Sequence, residues 1–303
     1  MQRRRFLASL GACGMSALTT PPAAADASGA ALAAYYERHM VLRDGVAWGW
    51  QGRGVPKRLM DGVRQVGVGQ DTYFALLEDG RLLRWQDDPL RAVLLMRGVA
   101  WFASGASGWL AADAAQVLWH GGADAATPRR VAEEVLAGCI GDSADYYITR
   151  DGRLWVQGLA HRGQYGDGKL QATPGFVSTA TDALAVRAHT GHAIFLRKDG
   201  AVLGTGGNRY GPLSSHGLGD KADRWGPIFD GAVAIATGSR HSAAIRADGS
   251  LWAWGEGFGI APRRVHDQVH AVAAGDTVTL ALTADGGLWQ WDGGGGPRRL
   301  VLN

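Results

Sequence analysis

The sequence has little cysteine, little lysine and no long hydrophobic run. Only two of the 303 residues are cysteines, Cys13 and Cys139, which excludes a small fold held together by several disulfides. Serine, histidine and carboxylate residues form none of the spacings typical of a nucleophile elbow, a catalytic triad or a zinc site. No apolar stretch is long enough to span a bilayer. We therefore expect no metal, no other cofactor, no enzymatic activity and no membrane insertion of the mature chain.

The formal charge of +3 and the isoelectric point near 9.0 come from the first residues. Residues 1–25 contain Arg3, Arg4 and Arg5 and no acidic residue, and without these three the 31 basic residues only match the 28 acidic ones. A neutral remainder offers no extended basic surface to phosphates. We expect no nucleic-acid partner.

The N-terminus has the layout of a cleaved secretion signal, with a basic start, a weakly apolar middle and three alanines at 23–25. The run RRRFL at 3–7 resembles the twin-arginine export signal, which implies export of an already folded protein. We expect a signal peptide at 1–25, a single mature domain at 26–303, and a periplasmic or extracellular location. An ordinary secretion signal and a lipid on Cys13 are the alternatives.

Seven copies of one short pattern run along the chain. Each copy has a hydrophobic stretch, an Asp-Gly turn and an aromatic-rich stretch, as in ADGSLWAWG at 247–255 and ADGGLWQWD at 284–292. The turn aspartates are Asp44, Asp79, Asp151, Asp199, Asp248 and Asp285. In the third copy Ala115-Gln116 replaces the Asp-Gly pair, but the VLW that follows has the same spacing as in the other copies. The pattern predicts seven β-hairpins.

Two further elements accompany each hairpin. A stretch of the form V-x-x-V-x-x-G precedes it, and one proline follows it at a place typical of an outer, edge-like strand. Three or four short strands repeated seven times predict an all-β fold, a seven-bladed β-propeller. Because the last copy ends without the V-x-x-V element, we expect residues 31–34 to supply the strand that completes the last blade and closes the ring.

The strand–D-G-x-L-W-x-W-G–P-x-x-V pattern, with RGQYGDG at 162–168 and GNRYGPL at 207–213, resembles the regulator of chromosome condensation family of seven-bladed propellers. The resemblance covers residues 30–303 and implies the fold more specifically than the function. The family founder is a nucleotide-exchange factor for a nuclear GTPase, which a neutral, exported chain does not suit. An exported family member inhibits β-lactamases through loops on one face.

Two insertions, residues 159–173 and 206–226, are the candidate recognition loops, because variable loops on a rigid scaffold commonly carry binding. They contain residue types enriched in protein hot spots. The candidate partner-binding residues are Trp225, Tyr210, Tyr165, Arg209, Arg162 and His216. RGQYGDG and NRYGPL also resemble the family's structural loop, so a structural role is the alternative, and Trp225 and His216 lie outside that motif.

The sixth residue after the turn is tryptophan in four copies but Gly121, Gln157 and Thr205 in the other three. One interpretation is packing with smaller residues. The other is a wider sector of the ring, in which a polar axial funnel accepts a small ligand. A propeller enzyme or a carbohydrate-binding lectin using that funnel is therefore a second hypothesis.

Four further residues are interpreted through the repeat. His192 and His241 share one repeat position, which favours a structural role, and His189 replaces the glycine that ends the V-x-x-V element in other copies. Cys139 aligns with glycine and alanine, which predicts a buried, inert thiol.

The leading hypothesis is an exported, monomeric, non-enzymatic scaffold that binds an unidentified protein partner through its propeller loops. A β-lactamase-inhibitor-like propeller is a narrower alternative.

Overall fold

The computed structural model describes residues 31–106, 108–122, 127–216, 219–293 and 295–302. Within these residues the chain forms seven four-stranded antiparallel sheets, each made of four consecutive strands. The first strands of neighbouring sheets contact one another around a complete ring, so the sheets are blades and their first strands surround the axis. The predicted seven-bladed β-propeller is confirmed.

The strands follow the hairpin repeat. Blades 1 to 4 contain β1 (Leu32–Tyr35), β2 (Arg38–Arg43), β3 (Val46–Gln51), β4 (Lys57–Asp61); β5 (Val63–Val68), β6 (Tyr73–Leu77), β7 (Leu82–Trp85), β8 (Val93–Met96); β9 (Val99–Ser104), β10 (Gly108–Asp113), β11 (Leu118–Gly122), β12 (Arg129–Ala132); and β13 (Val135–Ile140), β14 (Ala144–Thr149), β15 (Leu154–Gly158), β16 (Val177–Ala180). Blades 5 to 7 contain β17 (Ala183–Ala188), β18 (His192–Arg197), β19 (Val202–Gly207), β20 (Lys221–Phe229); β21 (Ala232–Thr237), β22 (His241–Arg246), β23 (Leu251–Gly255), β24 (Gly259–His266); and β25 (Val269–Ala274), β26 (Val278–Thr283), β27 (Leu288–Asp292), β28 (Arg298–Leu300). A 3-10 helix, Pro89–Arg91, precedes β8.

Aspartate side chains shape the hairpin turns. In blade 4, Asp151 Oδ1 accepts the Arg153 N–H at 3.2 Å, and Gly152 has a φ of +85°, which glycine adopts without steric cost. In blade 3, which lacks the Asp-Gly pair, Asp113 Oδ1 accepts the N–H of Ala115 at 2.9 Å. The third copy therefore also forms a hairpin turn, but its aspartate stands two residues before the position of the turn aspartate in the other copies.

The outer strands carry the repeat prolines, as predicted. Each proline lies shortly before its outer strand or within it, and a strand that pairs on one side only tolerates the missing N–H. The seven prolines are Pro56, Pro89, Pro128, Pro174, Pro227, Pro262 and Pro297.

The predicted closure of the ring is wrong. β1 pairs with β2 of its own blade, from Leu32 opposite Val41 to Tyr35 opposite Arg38, and the last blade has four strands of its own. The V-x-x-V element is thus the inner strand of the hairpin that follows it. Two residues join β1 to β2, and such a short loop closes at little entropic cost, whereas pairing with the last blade would join opposite ends of the chain.

Contacts between side chains, and not a shared strand, join blade 1 to blade 7. A buried apolar cluster spans the junction and contains Leu32, Val41, Trp50, Val278, Leu280, Leu282, Leu288 and Leu300. Within it the Trp50 indole N–H donates to Gln290 Oε1 at 3.0 Å, and Gln290 Nε2 donates to the Gly52 carbonyl at 3.1 Å. At the surface Arg53 pairs with Asp292 at 2.7 Å. We call this junction the closure seam.

The inner strands approach one another so closely that glycine is required at their ends. A Cβ on Gly69 would lie 2.7 Å from the Gly105 carbonyl oxygen, and one on Gly238 would lie 2.1 Å from that of Gly275. Real Cβ atoms do not approach backbone oxygens so closely, so each such glycine sets the spacing between two blades.

Buried histidines connect neighbouring blades, as the shared repeat position of His192 and His241 predicts. His192 Nε2 lies 3.1 Å from Ser242 Oγ, and His241 Nε2 lies 2.8 Å from Thr279 Oγ1. Burial lowers the pKa of His192 to about 3 and that of His241 to about 4. In blade 1, burial likewise lowers the pKa of His39 to about 4, and neither of its ring nitrogens has a hydrogen-bond partner within the described part of the chain.

We expect Gln290→Leu to destabilise the closure seam, because the leucine fills a similar volume but leaves the buried Trp50 N–H without an acceptor. The free energy of unfolding should fall by about 1–3 kcal/mol, measured by urea denaturation. The matched control, Arg53→Ala, removes an exposed ion pair at the same seam and should cost at most about 1 kcal/mol. Equal losses in the two variants would contradict this role of Gln290.

The buried histidines also predict a pH dependence of stability. Between pH 6.5 and about 4 the unfolded chain binds protons that the native, neutral His39, His192 and His241 do not, so the free energy of unfolding falls as the pH falls through this window. His39→Leu should reduce that fall, because His39 makes no side-chain hydrogen bond that would be lost. Urea midpoints measured across the window test this, and an unchanged slope in the variant would refute it.

Candidate functional site: the loop face

The two faces of the propeller carry different connections. Because the four strands of each blade alternate in direction, the first-to-second and third-to-fourth connections lie together, and we call this side the loop face. The Asp-Gly turns and the blade-to-blade connections lie on the opposite side, the turn face. Both predicted recognition loops are third-to-fourth connections and therefore lie on the loop face.

A cavity of about 160 Å³ lies on the axis between the inner strands. Its wall consists mostly of alanine, glycine and valine, and its polar groups are largely engaged in the wall itself. The Gln65 amide bonds the Phe102 backbone, and Ser104 Oγ donates to the Val68 carbonyl at 3.0 Å. Cys139 lies buried in this wall, as predicted, and burial raises the pKa of its thiol to about 12.

The copies that lack tryptophan do not widen the axis, so that interpretation is wrong. Gly121 makes room for Trp109, its partner on the neighbouring strand, since a Cβ on Gly121 would lie 2.2 Å from the Trp109 ring. Thr205 Oγ1 donates to the Gly163 carbonyl at 2.8 Å, and Gln157 bonds a carboxylate of its own blade. The smaller residues pack within and between blades, and none of the three lines the axial cavity.

Two aromatic rings lie across the loop-face end of the axis. Tyr35 in blade 1 and His189 in blade 5 occupy the position that is glycine in the other blades, as the pairing of Tyr35 with Arg38 and of His189 with His192 demonstrates. Their rings stack with centroids 4.7 Å apart and planes at 16°. The pair narrows the opening that an axial ligand would enter.

Hydrogen bonds fix this stack to three further residues. Tyr35 donates to Asp142 Oδ1, and Thr190 Oγ1 donates to Asp142 Oδ2 at 3.0 Å. Ser239 Oγ lies 3.0 Å from Thr190 Oγ1 and 3.1 Å from His189 Nδ1. We call Tyr35, Asp142, His189, Thr190 and Ser239 the axial cap, which connects blades 1, 4, 5 and 6.

The cap brings a serine to a histidine, but the geometry does not suit proton transfer between them. The Thr190 backbone N–H donates to His189 Nδ1 at 3.0 Å, so that nitrogen is an acceptor and Nε2 carries the hydrogen. If Nδ1 took a proton from Ser239, the new Nδ1–H would point at the Thr190 backbone N–H, and two donors would face each other. Burial also lowers the pKa of His189, although Asp142 and Asp276 oppose the shift. The cap is therefore a structural cluster, not an activated serine.

The axial cap was not predicted from the sequence. The sequence does indicate it, because Tyr35 and His189 both replace the glycine that ends the inner strand in other blades. The equivalence of the two residues was hidden because residues 31–34 had been assigned to the last blade. Across the described residues, no group of three or more histidine, cysteine or carboxylate side chains is placed to hold a metal ion. The part of the chain that the structure describes also contains no helix long and apolar enough to cross a membrane.

Two of the candidate binding residues are packed inside the structure. Tyr165 is fully buried, and its hydroxyl donates to the Gly158 carbonyl at 3.0 Å. Trp225 is half-buried, packs edge-to-face on Phe195 with centroids 4.8 Å apart, and donates to Thr179 Oγ1 at 3.4 Å. Tyr165 therefore supports its loop from within, whereas Trp225 packs on the blade and stays partly exposed.

His216 likewise supports a loop, because its Nε2 lies 2.9 Å from the Arg224 carbonyl and its ring covers Gly226. Arg162, Arg209 and Tyr210 are exposed on the loop face. Of the six candidates, Tyr165 is thus buried, Trp225 and His216 are half-buried, and the other three are exposed.

Comparison with known proteins agrees with this architecture. The model of the Regulator of chromosome condensation (RCC1) repeat matches residues 232–258, which lie in blade 6. The secretion-regulating guanine nucleotide exchange factor of Bos taurus is 29% identical over 156 residues, which are 47% of this chain and 33% of that protein. The chain thus spans about a third of the length of this curated relative.

Solved structures share the fold across most of the chain. Prp20p from Saccharomyces cerevisiae superposes with a TM-score of 0.69 at 15% identity, covering 90% of this chain and 82% of that one. The ectodomain of the Arabidopsis thaliana receptor kinase ACR4 superposes with a TM-score of 0.62 at 14% identity, covering 91% and 99%. The chain is therefore a seven-bladed propeller similar to these proteins, and residues 232–258 in its sixth blade match the Regulator of chromosome condensation repeat.

Proposed function

We propose that this protein is a non-enzymatic interaction scaffold that binds a protein partner through its loop face. The observation that carries the proposal is the distribution of exposed large hydrophobic side chains. Of the eleven among the described residues, nine lie in a loop-face connection or within two residues of one, and none lies in an Asp-Gly turn. The nine are Tyr36, Val55, Leu90, Val93, Leu94, Leu159, Leu170, Tyr210 and Ile260.

The turn face has the opposite character. Its turns carry ion pairs such as Arg153 with Asp151 at 3.1 Å and Arg197 with Asp199 at 2.7 Å, all of them solvent-exposed. Such pairs keep a surface hydrated, whereas clustered exposed apolar side chains mark interaction sites. The contrast favours the loop face as the docking side.

The axial cap favours a scaffold over an axial enzyme or lectin. Tyr35 and His189 lie over the loop-face end of the cavity, where the Tyr35 hydroxyl bonds Asp142 and His189 Nδ1 bonds Thr190 and Ser239. Among similar structures, Prp20p was described with binding to Gsp1p and histones, which is consistent with protein binding by this fold. Export through the segment at 1–25, which lies outside the described residues, stays part of the proposal.

The proposal is tested by placing a photo-crosslinking amino acid at one position per variant in the full chain. Leu90 (94% exposed) and Tyr210 (41% exposed) probe the loop face, and Asp151 and Asp199 are the matched controls on the turn face. We expect the same partner, identified by mass spectrometry, at the loop-face positions and no adduct with it at the controls. Adducts at the turn-face positions alone would refute the assignment of the face.

With the identified partner purified, Tyr210→Ala combined with Ile260→Ala should weaken the dissociation constant at least about tenfold, as for hot-spot side chains. Arg153→Ala on the turn face should leave it unchanged.

A further inference from the structure

Five loop-face residues over blades 4 to 6 form one continuous surface, which we call the arginine–tyrosine patch: Arg162, Arg209, Tyr210, Arg240 and Ile260. The guanidinium carbons of Arg240 and Arg209 lie 5.0 and 5.7 Å from the centroid of the Tyr210 ring. Arg162 lies against Gly191 and Gly207, which places it beside the start of the Arg209 loop.

The loop that presents Tyr210 is held from within. Asn208 Oδ1 accepts the Leu213 N–H at 2.9 Å, and the Pro212 carbonyl accepts both the Trp254 indole N–H at 2.7 Å and Ser242 Oγ at 2.9 Å from blade 6. A loop fixed to the next blade loses little conformational entropy when a partner binds.

Glycine brings Ile260 onto the same loop. Gly211 has a φ of +78°, and a Cβ there would already lie 3.1 Å from Ile260 Cγ1. Ile260 is nevertheless 62% exposed, so its outer surface lies free beside Tyr210. The patch therefore combines an apolar centre with cations around it.

The charge of the patch is not neutralised by the described part of the protein. Arg240 pairs with Glu256 at 3.0 Å, but neither Arg162 nor Arg209 has an ion-pair partner among the described residues. On the turn face, by contrast, Arg153 and Arg197 each pair with a neighbouring aspartate. Unpaired guanidinium groups around an exposed tyrosine suit carboxylates, which they can bind through two parallel hydrogen bonds.

We propose that the arginine–tyrosine patch binds an acidic segment of the partner, with one apolar side chain of that segment packed on Tyr210 and Ile260. This rests on the proposed function and adds the chemistry of the partner. A nucleic acid is the less suitable occupant, because Tyr210 is the single aromatic residue of the patch and Glu256 lies at its edge. Strands without sequence preference bind along rows of aromatic side chains in a continuous basic groove.

The test uses the full chain and two pools of short synthetic peptides with a central phenylalanine or leucine. Aspartate and glutamate flank that residue in the acidic pool, and lysine and arginine flank it in the basic pool. We expect the acidic pool alone to bind in fluorescence anisotropy, with an affinity that falls as salt screens the charges. Arg162→Glu combined with Arg209→Glu should weaken acidic binding at least about tenfold and allow the basic pool to bind, as electrostatic complementarity requires.

The matched control reverses two turn-face arginines, Arg153→Glu and Arg197→Glu, and should bind the acidic pool as the unaltered protein does. An oligothymidine probe forms a further arm. Absence of acidic-pool binding, unchanged binding by the patch variant, or oligothymidine binding as tight as that of the acidic pool would each overturn the inference. If the patch variant keeps its loop-face crosslink to the partner, the acidic-segment inference fails while the proposed function stands.

Discussion

The close approach of seven inner strands around one axis is the constraint on which the rest of the structure depends. At Gly69 and Gly238 a single added Cβ would collide with the carbonyl oxygen of the next blade. Small residues therefore fill most of the axial wall, and at the position of these glycines a blade can carry a large side chain only if that side chain lies across the axis. Tyr35 and His189 do so, and their stack closes the ring of glycines with a hydrogen-bonded cap.

The same constraint explains how the ring closes without exchanging a strand. Each blade is complete in itself, so blades 1 and 7 meet as any neighbours do, through an apolar cluster that encloses the Trp50–Gln290 hydrogen bond. The long loops are likewise held by hydrogen bonds to their own blade or to the next one. Tyr165 fixes one loop to its own blade, and Pro212 accepts hydrogen bonds from Trp254 and Ser242 of the next. Rigid supports of this kind let exposed residues such as Tyr210 keep one orientation towards a partner.

Much of the fold could be predicted from the sequence because a short period repeats its physical signals. The Asp-Gly turns, the aromatic third strands and the repeat prolines each mark one element, so the number of blades follows from counting them. The closure could not be predicted in the same way. Residues 31–34 resemble an inner strand equally well in either blade, and only the pairing of Leu32 with Val41 distinguishes the two. The axial cap joins residues far apart in the chain, so no local spacing indicates it. Tyr165 and Tyr210 are the same residue type in similar loops, and only packing separates the buried support from the exposed side chain.

We propose that a rigid ring closed by side chains presents its loop face to a protein partner. Amide hydrogen exchange of the full chain, alone and with the partner identified by crosslinking, tests this proposal. We expect slow exchange in the inner strands, β1 and β25 included, in both states, and partner-dependent slowing confined to loop-face segments such as 159–163 and 208–212. Rapid exchange of β1 and β25 in the free protein, or slowing confined to the Asp-Gly turns, would contradict it.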